Sequence, residues 1–136
     1  MSICSILFLA LFSFFNNTAR YTAEGQATYY ADRMQGRATA SGEHYDKYLY
    51  TAAHATLPFG TRLLVRNLKN DKTVEVRVND RKARHRHHII DLSRAAAEAL
   101  DMVRDGKAAV RLEEVKNDGP EQQAQPGAVP EAGPAN

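Results

Sequence analysis

The sequence contains no tryptophan, and its single cysteine, Cys4, lies at the start of an apolar run near the N-terminus. That run, Ile3–Phe15, is thirteen residues without a charge. A membrane-spanning helix needs about 20 such residues, so this stretch instead fits the apolar centre of an export signal. Ala19 offers a small residue for cleavage, although no Lys or Arg precedes the run. An uncleaved anchor is the weaker alternative. Removal of residues 1–19 would leave no cysteine, hence no disulfide and no thiol nucleophile. A lipid-modified cysteine would directly follow the apolar run rather than stand at its start, so no lipid anchor is predicted. The sequence therefore points to an exported protein, periplasmic or extracellular, whose stability comes from packing alone.

Other absences narrow the chemistry. No glycine-rich phosphate loop is present, and no G-x-S-x-G elbow surrounds any serine, so nucleotide binding and serine hydrolysis both lack their motifs. The net charge is +2. Asp118, Glu121 and Glu131 all lie beyond the last cation, Lys116, so residues 1–116 carry +5. That is too little charge to argue for nucleic acid, and no aromatic-rich strand offers a base-stacking platform. The remaining reading is a mildly basic domain that favours an anionic partner, with no cofactor implied.

What is present reads mainly as β-structure. Val74, Val76 and Val78 alternate with Glu75, Arg77 and Asn79, the period-two pattern of a half-buried strand. Thr61–Asn67 forms a second strand, and the polar Lys69–Lys72 joins the two as a hairpin. Gly25–Ala31 predicts a first strand, Ala108–Glu113 a last one, and Ile89-Ile90 a further apolar segment. Leu49–His54 is short and mixed, and predicts a brief helix or turn. The alanine-rich segment over about 93–102 predicts the one helix, N-capped by Ser93 or Asp91. After Asn117 the chain is Pro, Gly, Gln, Ala and Glu with little to bury, so 117–136 predicts a disordered tail. Five or six strands with one helix, not regularly alternating, favour a small β-barrel or α+β domain.

Three titratable residues stand in loops that follow or flank strands: Glu43, His54 and Asp80. Asp80 falls on the valine parity where the alternation ends. A carboxylate at the end of an apolar face can be partly desolvated, as an acid catalyst needs, but on this stretch alone an Asp that closes a turn through local hydrogen bonds is the favoured reading. His85, His87 and His88 suggest a metal site. Arg84 and Arg86 are interleaved with them and would repel a cation, so a solvated basic loop is the preferred reading and no metal ligand is predicted.

Several segments, taken in order, resemble the rare lipoprotein A (RlpA) family. They are Gly25-x-Ala-x-x-Tyr30, Gly36-Arg-x-Thr39-Ala-x-Gly42-Glu43-x-Tyr45-Asp46, Thr51-Ala-Ala-His54, Val76-Arg-Val-Asn-Asp-Arg81 and Ile90-Asp91-Leu92-Ser93. The similarity covers residues 25–115. The resemblance implies a six-stranded double-psi β-barrel acting as a lytic transglycosylase on peptidoglycan. Such enzymes break the bond between N-acetylmuramic acid and N-acetylglucosamine and leave a 1,6-anhydro end. It also implies Asp80 as the catalytic acid and base, with Glu43 and His54 in the same cleft, and substrate contacts from Tyr30, Arg37, Thr39, Tyr45 and Arg81. The chain departs from many relatives after Arg81, where Lys82–His88 replaces a Gly-Pro-Phe segment with a basic loop. Two other functions fit the same barrel: a non-catalytic, expansin-like glycan-binding module, or a glycoside hydrolase pairing Glu43 with Asp80.

Overall fold

The computed structural model describes residues 20–116. The expected export signal and C-terminal tail lie outside them. Six strands form one closed barrel: β1 (Thr22–Tyr29), β2 (Thr51–His54), β3 (Arg62–Asn67), β4 (Thr73–Arg81), β5 (His88–Leu92) and β6 (Ala108–Glu114). Their order around the barrel is β1-β5-β2-β4-β3-β6. The pairs β1–β5 and β2–β4 are parallel and the other four antiparallel. This is the expected six-stranded double-psi barrel, and closure leaves no strand edge open.

The valine alternation reports the barrel interior faithfully. Val74, Val76 and Val78 are buried, together with Leu63, Val65, Ile90, Leu92, Val110 and Leu112. Each such side chain contributes about 1.5–3 kcal/mol on leaving water. One helix, α1 (Arg94–Ala99), packs against β1 and β4. Ser93 caps it as expected: its Oγ accepts from the Ala96 N–H and donates to the Leu49 carbonyl at 2.6 Å.

Two expectations need correction. The segment before His54 is not a helix or turn but β2, a strand buried at every position. It lies between β4 and β5, and its Ala52-Ala53 centre fills tight space on both faces, so no alternation exists to be read. The helix also ends at Ala99 rather than about 102. Asp101 adopts φ 55°, which turns the chain so that the Met102 N–H reaches the Ala97 carbonyl and the Asp101 N–H reaches that of Glu98. This is a Schellman ending with an aspartate in the left-handed position, and it buries both Leu100 and Met102.

Both parallel pairs carry a register break. Between β2 and β4, Ala52 faces Val78 and Ala53 faces Asp80, leaving Asn79 as the extra residue. Between β1 and β5, Gln26 faces His88 and Ala27 faces Ile90, leaving Ile89. Bulges of this kind re-aim the side chains that follow them. One of them immediately precedes Asp80.

Candidate active site

Asp80 lines a cleft of about 490 Å³ together with Tyr30, Ala53, Arg81, Lys82 and Asp91. The Asn79 bulge removes Asp80 from the strict valine face: Asn79 is 3% exposed, whereas Asp80 is half-buried at the cleft wall. Three donors hold its carboxylate. Oδ2 accepts the Tyr30 hydroxyl at 2.6 Å, and Oδ1 accepts the backbone N–H groups of Ala40 at 2.9 Å and Arg81 at 2.8 Å. The two oxygens thus differ. Backbone N–H groups can only donate, whereas a hydroxyl can donate or accept. Oδ2 is therefore the oxygen that can carry a proton while keeping its partner.

Tyr30 is itself fixed. Its ring stacks on Tyr45 with centroids 4.3 Å apart and planes 9° from parallel. Burial, followed by the hydrogen bond to Asp80, pushes the Tyr30 phenol far above its ordinary value, so it stays protonated. Tyr45 is only 2% exposed, and its hydroxyl accepts the Arg94 N–H at 3.1 Å. It supports Tyr30 from the interior and presents no surface to a ligand.

Glu43 is brought to the same strand end without lining the cleft. Arg77 Nη1 and Nη2 donate to its two carboxylate oxygens at 2.7 and 3.1 Å, and Asn79 Nδ2 donates to Oε1 at 3.1 Å. The bonds from Arg77 hold the Glu43 carboxyl below its usual range, against a smaller opposing effect of burial. Thr39 lies within the same loop, buried, with its hydroxyl donating to the Glu43 carbonyl at 2.7 Å. Ser41 N–H donates to the Asn79 carbonyl. The loop carrying Thr39, Ala40 and Glu43 is thereby fastened to β4, which positions the Ala40 N–H on Asp80. Arg37 is exposed on this loop, with its backbone bonded to Met34 and Tyr45.

His54 does not meet Asp80. Adjacent strand residues face opposite ways: Ala53 lines the Asp80 cleft, while His54 lines a separate cavity of about 180 Å³ with Tyr21 and His88. Its Nδ1 accepts the N–H groups of Thr56 and Leu57, both at 3.1 Å. The proton of the neutral ring therefore sits on Nε2, which is 3.0 Å from the Tyr21 hydroxyl. Burial first, then the charges of Arg81 and Lys82, push the His54 pKa down. Arg81 bridges the two sides: it lines the cleft, donates from Nη1 to the His54 carbonyl at 3.0 Å, and sits over the Phe59 ring at 4.3 Å.

A family model described as "Lytic transglycolase" matches residues 22–112. The chain belongs to this RlpA-like family. The endolytic peptidoglycan transglycosylase RlpA of Neisseria meningitidis serogroup A is 47% identical over 100 residues, which cover 74% of this chain and 42% of that one. A probable RlpA of Treponema pallidum is 54% identical over 89 residues, 65% of this chain and 28% of the relative. The RlpA-like chain thus spans less than half the length of these curated relatives. Among solved structures, the Streptomyces papain inhibitor superposes with a TM-score of 0.57 at 25% identity, covering 71% of this chain and 96% of that one. An expansin of Clavibacter michiganensis gives 0.57 at 24% identity over 74% and 53% of the two chains, a likeness of fold alone.

Several parts of this RlpA-like site escape a reading of the sequence. The Ala40 amide, the Asn79 bulge and Arg77 as the partner of Glu43 depend on contacts between segments far apart in the chain. Asp91 is not a helix cap but part of β5, facing the cleft and accepting the Thr28 hydroxyl at 2.5 Å. Its position between the buried Ile90 and Leu92 was the available signal.

Proposed function

We propose that this chain is an exported peptidoglycan lytic transglycosylase domain with Asp80 as its general acid and base. The observation that carries this reading is the Asp80 carboxylate, oriented by Tyr30 and two backbone amides at the wall of an open cleft. The substrate class comes from the relatives, several of which are named endolytic peptidoglycan transglycosylases.

The reaction needs one proton-carrying group. Protonated Asp80 gives its proton to O4 of the departing N-acetylglucosamine as the bond from that oxygen to C1 of N-acetylmuramic acid breaks. The C6 hydroxyl of the same muramic residue then attacks C1, and its proton returns to Asp80. No water is consumed, and the acid ends as it began. Oδ2 carries the proton in this scheme, because Oδ1 already accepts two backbone N–H groups, whereas Oδ2 accepts only the Tyr30 hydroxyl and keeps a second lone pair to hold the proton shared with O4. A hydrolase would instead need a second carboxylate free to act on water or on C1. Glu43 is engaged by Arg77 and Asn79, which favours a positioning role for it. His54 likewise positions Arg81 through its backbone carbonyl.

The test is product analysis on stem-free glycan strands. Wild type releases 1,6-anhydro ends, and Asp80→Asn loses about 10²–10⁴-fold in kcat while still binding glycan. Unchanged release by Asp80→Asn overturns its role. Binding by wild type without cleavage identifies a glycan-binding module instead, and labelled oxygen from water at C1 identifies a hydrolase.

A further inference from the structure

The cleft does not end at Lys82. Lys82, Ala83, Thr28 and Asp91 also line a second cavity of about 390 Å³, which continues to Arg84, His85 and His88. The basic loop after β4 is therefore a wall of a groove that opens from the Asp80 site. Its internal bonds define its form. Lys82 Nζ donates to the carbonyls of Ala83 and His88, both at 3.0 Å, and closes the loop on itself. His85 Nδ1 accepts the N–H groups of His87 and His88 at 3.0 and 3.1 Å, so its ring proton lies on Nε2. The His85 and His88 rings stack at 4.5 Å, 12° from parallel.

Arg84, like Arg37 and Arg66, is not among the arginines that hold a carboxylate, but it alone of these three lines the groove. Arg62, Arg77, Arg94 and Arg111 each hold a carboxylate. Arg84 is exposed, lines the groove, and has no such partner among the described residues. The carboxylate that shares the cavity, Asp91, is held by Thr28 at the end nearer the cleft. An anion is thus repelled at the Asp91 end and attracted at the Arg84–His85 end. A guanidinium with an adjacent imidazole N–H suits the planar, two-oxygen geometry of a carboxylate.

We propose that the Arg84–His85 end of this groove is an anion subsite that takes the lactyl carboxylate of a muramic acid residue flanking the scissile bond. This rests on the transglycosylase reading of Asp80, because the glycan bound there places its neighbouring sugars along the groove. The subsite would discriminate among strands by their carboxylates. It belongs to the segment in which this chain departs from the Gly-Pro-Phe pattern.

The experiment uses stem-free glycan strands in two forms, with lactyl carboxylates intact or reduced to primary alcohols. Both are given to the full chain as wild type, Arg84→Gln and Arg84→Lys, each checked for an unchanged melting temperature. Wild type is expected to lose about fivefold in kcat/KM on the reduced strands, almost all of it in KM, as befits one exposed charge pair. Arg84→Gln shows the same loss on carboxylate strands and no further loss on reduced ones, while Arg84→Lys recovers part of the affinity. An equal loss by Arg84→Gln on both strands, or none on either, overturns the subsite. Affinities of the Asp80→Asn chain for the two strands are measured in parallel. If wild type cleaves neither strand, the catalytic reading falls, yet tighter binding of the carboxylate form by Asp80→Asn still upholds the subsite and equal binding overturns it.

Discussion

The Tyr30 hydroxyl and Asp80 Oδ2 are joined at 2.6 Å across the barrel, from just beyond β1 to the end of β4. These strands are not neighbours; β5 and β2 lie between them. The bond ties together two strand ends that backbone pairing does not connect, and it does so at the proposed acid.

Replacing Tyr30 by Phe keeps the stack on Tyr45 and removes only this donor. A hydrogen bond to a charged group contributes about 1.5–3 kcal/mol. Tyr30→Phe should therefore lower kcat about 10–100-fold with little change in KM, and lower the melting temperature by several degrees. Steady-state release of anhydro ends checks this, and an unchanged kcat would remove Tyr30 from the proton path.

Glu43 and Arg77 form a partly exposed pair, with Glu43 side-chain exposure of 46%. Glu43→Gln should cost about 0.5–1 kcal/mol near neutral pH. Because Glu43 titrates below its ordinary 4.5 in the folded protein, the unfolded chain binds its proton first as pH falls. The stabilisation is present above about 4.5 and is lost as pH drops through the folded value. Urea unfolding of wild type and Glu43→Gln across this range should give curves that converge at the acid end.

His54 behaves in the opposite charge sense with the same direction in pH. Its folded pKa lies below 6.5, so the charged ring is disfavoured in the folded state. Stability is full above about 6.5 and falls as pH drops below it, since the unfolded chain takes up that proton more readily. His54→Gln should flatten this part of the stability profile. Nitrogen NMR of wild type should show protonated Nε2 and bare Nδ1 persisting below pH 6.5, and the reverse tautomer would contradict the two backbone bonds to Nδ1.

Gly25 meets the bulged Ile89. A Cβ built at Gly25 would lie 2.7 Å from Ile89 Cγ2, and a β-branched side chain has little rotamer freedom with which to yield. Gly25→Ala should destabilise the barrel by about 1–3 kcal/mol. Adding Ile89→Ala should recover part of that loss in a double-mutant cycle, and purely additive effects would show that the two do not touch.

The helix cap and the β3–β4 hairpin were legible in the sequence because each rests on residues close together in the chain. Ser93 caps the helix that begins beside it, and the three valines of β4 report one face through simple alternation. β2 was not legible. Ala52 and Ala53 are buried on both sides, so their strand has no amphipathic signature, and only its place between β4 and β5 makes it one. His54 shows the same limit in its direction. Its nearness to Asp80 through strand pairing is real, but a single step along β2 sends its side chain to the other face.

By itself the sequence determined the β-rich class, the hairpin, the capped helix, the motifs shared with the RlpA family and the excess of cations after Arg81. Tertiary structure alone decided which groups touch Asp80. Its partners come from Tyr30, Ala40 and Arg81, and its orientation comes from a bulge that exists only when β4 is paired with β2. Periodicity and capping are properties of chain neighbours, whereas a site is assembled by register and loop docking between distant segments. Asp80 is a turn-like residue in the sequence; barrel closure makes it the best-held carboxylate in an open cleft.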